Sequence, residues 1–171
     1  MNAAKHIAHG LPPIGDEASQ FLILGSFPSV LSRANSFYYG NPKNRFWGVL
    51  SSFFNEKTPK TNDEKEKFCL LHHIALYDVI EECDIFGSKD SSIKNAIPSS
   101  LSALFPKASI QTIILNGRKA EELFKKFGMH SHFPRADVVS VPSTSPANAQ
   151  FSLIDLKRAW HEALQRAFLP H

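Results

Sequence analysis

Four short apolar runs limit what this chain can fold into. They are Phe21-Leu22-Ile23-Leu24, Ile74-Ala75-Leu76-Tyr77-Asp78-Val79, Thr112-Ile113-Ile114-Leu115 and Val138-Val139-Ser140-Val141. Runs this short, bounded by Gly, Pro or Asn, read as buried strands rather than helices. Helical patterns fill the spaces between them. Residues 42–55 open on Pro42, which suits a first helical turn, and place Phe46, Trp47, Leu50, Phe53 and Phe54 at helical spacing. Residues 58–65 are polar and lead into a helix. A short helix with Leu101, Leu104 and Phe105 follows Pro98. Residues 119–127 form an amphipathic helix stopped by Gly128, and residues 152–168 form another, with Ser152 capping it before Asp155. Short apolar strands alternating with helices predict an α/β fold, with a mostly parallel sheet covered on both faces. The expected architecture is a three-layer α/β/α sandwich around a four-stranded sheet, in a single domain over residues 1–171.

Composition narrows the classes of function. The 171 residues are 43% hydrophobic and 20% charged, with a formal net charge of +3, which allows a polyanionic partner without requiring one. Cys69 and Cys83 are the only cysteines, too few for a four-cysteine iron–sulfur site or a zinc ribbon. His72-His73 and His130 with His132 lack a nearby carboxylate or thiol to complete a ligand set, so no metal and no cofactor is expected. The first fifteen residues contain no long apolar run, and no stretch approaches a membrane span of roughly 18 apolar residues. A cytoplasmic protein is expected, with monomer the default.

In a sheet of this kind, ligands bind beyond the carboxyl ends of the strands. The four runs lead into Gly25-Ser26-Phe27-Pro28-Ser29, Asp78-Val79, Asn116-Gly117 and Pro142-Ser143-Thr144-Ser145-Pro146-Ala147-Asn148. These polar, Gly- or Pro-bearing tails are expected to meet on one rim. Gly25 lets backbone turn sharply and approach a ligand closely. The first tail is neither a phosphate loop, lacking Gly-Lys-Ser/Thr, nor a nucleophile elbow, lacking Gly-x-Ser-x-Gly. Next comes Tyr38-Tyr39-Gly40-Asn41-Pro42-Lys43-Asn44-Arg45-Phe46-Trp47. Aromatic faces stack on nucleobases, amides read base edges with both a donor and an acceptor, and Lys43 and Arg45 are placed to touch phosphates. Phe46 and Trp47 read as core.

Gly-x-x-Pro-Ser after a strand, followed by Tyr-Tyr-Gly-Asn-Pro-x-Asn-x-Phe-Trp, resembles the uracil-DNA glycosylase superfamily. Together with residues 76–81, 87–93, 116–119 and 142–148, it looks most like the branch of DNA-deoxyinosine (hypoxanthine-DNA) glycosylases. The likeness runs from about Phe21 to Ala167. It implies an enzyme that flips a deaminated base out of DNA and hydrolyses its bond to the sugar; because no lysine stands in a recognisable position for imine chemistry, no strand nicking is expected. It implies that Tyr39 stacks on the flipped base, with Gly25, Ser26, Phe27 and Asn116 around it. It also implies that Ser143 stands near a position that grips the base, and that Pro146, Ala147 and Asn148 form a wedge into the duplex. Ser29, Lys43 and Arg45 complete the expected DNA contacts.

The sequence departs from the better-known members at one point. They commonly carry Asp or Asn two residues after the first Gly, where it positions water. Phe27 stands there, and a phenyl ring cannot orient water. The role is expected to move to Asn44 first and Asn41 second. Asp78 orients a site residue or caps a strand end, and residues 88–92 touch DNA or form a solvated loop. Arg118, Lys119, Lys125, Lys126 and Arg135 contact phosphate or form a solvated face. Removal of uracil from mismatches and non-catalytic lesion binding are the competing functions.

Overall fold

The computed structural model describes residues 3–168. The four expected runs are strands: β2 (Phe21–Gly25), β3 (Ile74–Asp78), β6 (Thr112–Asn116) and β7 (Asp137–Val141). They pair in parallel in the order β3-β2-β6-β7. Every residue of β2, β3 and β6 is buried, and successive side chains point to opposite faces, so both faces of the sheet are covered. Helices supply the cover: α1 (Val30–Ala34), α2 (Phe46–Phe53), α3 (Asn62–Leu71), α4 (Leu101–Leu104), α5 (Arg118–Lys126) and α6 (Leu153–Phe168). The centre of the α2–α6 contact is aromatic. Phe46 and Trp160, both fully buried, meet edge to face at 5.9 Å between ring centroids. The Trp160 indole N–H donates to the Pro142 carbonyl at 2.9 Å, tying α6 to the end of β7.

The expected caps are in place. Gly128 adopts the left-handed conformation (φ 59°) just beyond α5. The Ser152 hydroxyl accepts from the Asp155 N–H at 3.1 Å at the start of α6. The helix expected over residues 42–55 instead begins at Phe46. Asn41 Oδ1 accepts from the Lys43 N–H at 3.0 Å, and Asn44 Oδ1 accepts from the Phe46 N–H at 2.9 Å. These two side-chain turns compete with helix formation and hold the 41–45 stretch as a loop around Pro42.

A second sheet was not foreseen. β1 (Lys5–Ala8), β4 (Ile80–Ile85) and β5 (Lys94–Pro98) form an antiparallel sheet in the order β1-β4-β5. β1 and β5 are mostly exposed and polar, so neither has the apolar signal that marks the other strands. The chain passes from β3 into β4 across the single residue Val79. The Val79 N–H donates to the Gly25 carbonyl at 2.8 Å, and the Ile80 N–H to the Ser26 carbonyl at 3.1 Å. The two sheets therefore join at the carboxyl ends of β2 and β3.

Candidate active site

A cavity of about 270 Å³ opens at that junction, beyond the carboxyl ends of the parallel strands. It is lined by residues 25–29, by Tyr38, Tyr39, Asn41 and Asn44, by Asp78, Ser88 and Asp90, and by Asn116 and residues 143–147. The four strand tails do converge on one rim. No lysine lines this cavity among the described residues.

The floor is built from strand ends. Gly25 and Asp78 are register partners at the tips of β2 and β3, and Asn116 ends β6 on the other side of β2. A Cβ on Gly25 would stand 2.6 Å from Asp78 Oδ1 and 3.2 Å from the Tyr39 hydroxyl, so only glycine fits. The Asn116 amide is clamped by Thr144: its Oδ1 accepts from the Thr144 N–H, and its Nδ2 donates to Thr144 Oγ1, both at 3.1 Å. One Nδ2–H and one oxygen lone pair of Asn116 remain. Gly117 (φ 101°) lets the next loop close in, since a Cβ there would lie 3.0 Å from that of Ser143.

Tyr39 is one wall. Its ring stacks on Phe46 at 3.8 Å between centroids, and the residue lines the cavity. Its own backbone is left-handed (φ 54°), an uncommon conformation outside glycine. Its hydroxyl is buried without a hydrogen-bond partner among the described residues. Burial first, and the Asp78 charge second, hold this phenol above its ordinary range, with the neighbouring Asn116 side chain opposing them. Phe27 is buried and lies between His9, edge to face at 6.1 Å, and the Arg33 guanidinium, 5.9 Å from its ring centre. Asn41 and Asn44 reach the cavity with their carbonyl oxygens each accepting one backbone N–H. Ser143 Oγ likewise accepts from the Ser145 N–H at 3.1 Å, leaving its proton free to donate.

Some of the residues expected to touch DNA sit differently. Ser29 lines the cavity and caps α1, accepting from the Ser32 N–H. Pro146 and Ala147 form an exposed tip. Lys43 is exposed but lies outside the cavity wall. Arg45, expected at phosphates, turns inward. Its guanidinium donates to the carbonyls of Ser145 and Asn148, both at 3.0 Å, and of Phe151. The Asn148 amide donates to the Ser143 carbonyl at 3.0 Å. Arg45 and Asn148 thus brace the 143–151 loop from within, because that turn leaves carbonyls that no strand or helix satisfies.

His9 was not anticipated. It follows β1 and is buried in a box of Phe27, Tyr38 and Tyr77, stacked on Tyr77 at 4.1 Å. Its Nε2 donates to Asp78 Oδ2 at 2.7 Å, across 69 residues of sequence. Nothing local marks it; the antiparallel sheet brings it there, with its backbone N–H on the Glu81 carbonyl at 2.7 Å. Asp78 is therefore a buried carboxylate at the floor, and its backbone carbonyl accepts from the Ser99 hydroxyl at 2.8 Å. Asp90 stands at the rim and accepts from the Ser26 hydroxyl at 2.8 Å. Desolvation, with a smaller push from Asp78, raises its pKa. Among the described residues, no cluster of three or more His, Cys, Asp or Glu side chains forms a metal-holding group. No helix there is long and apolar enough to cross a membrane.

The sequence model of the uracil DNA glycosylase superfamily matches residues 12–167. The chain belongs to this superfamily. It is 36% identical over 153 residues to a protein of Methanosarcina acetivorans named hypoxanthine DNA glycosylase, covering 85% of this chain and 91% of that one. A protein of the same name from Methanosarcina barkeri is 32% identical over 162 residues, covering 92% and 98% of the two chains. The fold is similar to a solution NMR structure of a candidate uracil DNA glycosylase from M. acetivorans, with a TM-score of 0.74 at 30% identity. That match covers 95% of this chain and 99% of the other.

Proposed function

We propose that this glycosylase removes hypoxanthine from deoxyinosine in DNA, leaving an abasic site. The observation that carries the reading is the single cavity that joins Gly25, Tyr39, Asn41, Asn44, Asn116 and Ser143 beneath an exposed Pro146-Ala147 tip. Its size is near the lower end of small-molecule pockets, roughly 300–1,000 Å³, and suits one flipped base. The names borne by the two Methanosarcina relatives favour hypoxanthine. Uracil is the second reading, favoured by the description of the solved relative.

In this reading the Pro146-Ala147 tip enters the duplex, and the extruded base lies on the ring of Tyr39. Bond cleavage runs ahead of water attack, so the sugar develops oxocarbenium character. The enzyme must then hold a water at C1′ and stabilise the departing base. Asn44, with Asn41 in support, holds the water through the remaining lone pair on its carbonyl oxygen; an amide orients water more than it deprotonates it. The Ser143 hydroxyl donates a hydrogen bond to the departing base, which takes up the proton released by the attacking water. A cavity wall without lysine supports hydrolysis rather than imine chemistry. We further propose a monomer, one domain throughout, working in the cytoplasm. Cys69 and Cys83, both free and buried, fit a reducing compartment.

The test is incubation with duplexes and single strands bearing inosine, uracil or xanthine, followed by alkali. Strand breaks at inosine are expected. Breaks at uracil alone would replace hypoxanthine by uracil, and no breaks on any substrate would overturn the enzymatic reading.

A further inference from the structure

Deamination of adenine changes one edge of the base: the N6 amino donor becomes the O6 acceptor, and N1 changes from a bare lone pair to an N–H donor. An enzyme that removes the product must tell this edge from the far more abundant adenine edge. The floor of the cavity holds the complementary chemistry. Asp78 and Asn116 sit on either side of Gly25, at the tips of the three adjacent strands β3, β2 and β6. Gly25 contributes no side chain, and where its Cβ would stand Asp78 Oδ1 comes within 2.6 Å and the Tyr39 hydroxyl within 3.2 Å.

Asp78 is locked in orientation. Oδ2 is taken by His9 Nε2 at 2.7 Å, and the His9 side chain is fully buried. Oδ1 faces Gly25 and has no hydrogen-bond partner among the described residues. Asn116 is locked as well, since Thr144 uses one N–H and one lone pair and leaves the other N–H. We propose that Asp78 Oδ1 and the remaining Asn116 N–H form an acceptor–donor pair that reads the N1–H and O6 of a deaminated purine. Adenine is rejected on both counts: its N1 lone pair meets a carboxylate, and its amino group meets an amide donor. An unpaired polar edge in a buried site is costly, and this makes such discrimination large. The same pair accepts the N3–H and O4 of uracil, and guanine and thymine carry the same two groups, so the device rejects adenine and cytosine and leaves guanine and thymine to be excluded elsewhere. His9 acts as a positioning residue that presents Oδ1 to the cavity.

This inference rests on the base-excision reading, and the experiment separates the two. Wild-type cleavage of inosine duplexes is measured with free hypoxanthine, 1-methylhypoxanthine or unsubstituted purine as competitor. Hypoxanthine should compete roughly ten- to a hundredfold better than the other two, the range of a hydrogen bond to a charged group. In Asp78→Asn, His9 keeps the amide oxygen and turns the NH₂ toward the cavity, so N1 now meets a donor. That variant should lose inosine cleavage by a similar factor, and its preference for hypoxanthine over purine should vanish or reverse. Equal competition by all three bases with the wild type would overturn the inference while leaving the glycosylase reading intact. An Asp78→Asn variant with unchanged preference would do the same. Absence of inosine cleavage by the wild type would sink the underlying reading. Should Asp78→Asn fail to fold, the wild-type competition decides alone.

Discussion

The two loops that face each other across the cavity are held in different ways. The 25–45 side is fixed by ring packing together with its own side-chain turns. Tyr39 lies on Phe46, Phe27 is buried beside His9, and the Tyr38 hydroxyl donates to the Pro12 carbonyl at 2.8 Å. The 143–151 side has an exposed Pro146-Ala147 tip and is fixed by donors reaching its carbonyls from Arg45 and Asn148. On the proposed function, a wall that receives a flat base gains from close-packed rings. A tip proposed to enter a duplex has to stay exposed, so it cannot be anchored by its own apolar surface. Charge-assisted hydrogen bonds from below offer an alternative anchor.

The sharpest way to break this contrast is at the packed wall. Asn44→Ala should lower base release by about a hundredfold or more, the scale of a lost catalytic positioning group, while DNA binding survives. Single-turnover cleavage beside a binding titration checks this. If Asn41→Ala alone has that effect, the roles of the two amides are reversed. Gly25→Ala should come next. Its Cβ would displace Asp78 Oδ1 from 2.6 Å, so activity should fall at least about tenfold, by the loss of one charged hydrogen bond, and by more than thermal stability does. Activity assays and a melting curve of the same variant compare the two.

Tyr39→Ala should weaken binding to an inosine duplex by roughly 1–3 kcal/mol, the worth of base–aromatic stacking. Unchanged affinity would move the stacking role elsewhere. On the other loop, Arg45→Ala should cost about 1–3 kcal/mol of stability by leaving carbonyls unpaired. Proteolysis within residues 143–151 should rise while the packed wall stays resistant. The mildest change is Ala147→Gly, which should lower affinity for lesion-bearing duplex by only a few-fold and leave single-strand binding as it was. An equal loss on both substrates would remove the wedge role from this tip.

The parallel sheet was legible because β2, β3 and β6 carry apolar runs that burial on both faces demands, and the mostly exposed edge strand β7 still carries three valines. The convergence of the loops followed from it, since parallel strands put all their carboxyl ends on one rim. The antiparallel sheet was not legible. β1 and β5 are largely exposed, and pairing with β4 rather than hydrophobicity holds them. Arg45 misled for a related reason: a basic residue beside aromatics fits a phosphate contact equally well, until the neighbouring loop is seen to offer carbonyls.

By itself the sequence determined the sheet, the rim, and the residue types gathered there: glycine where backbone must come close, a tyrosine, and side-chain amides. These are local demands, written within a few residues of each strand end. Tertiary structure alone decided which groups point into the cavity and which are already engaged. It placed His9 against Asp78 across 69 residues, turned Arg45 inward, and left Asp78 Oδ1 beside a glycine with no room for a side chain. Hydrogen-bond partners distant in sequence leave no periodicity, so only the folded chain reveals that the floor carries a carboxylate held in one orientation.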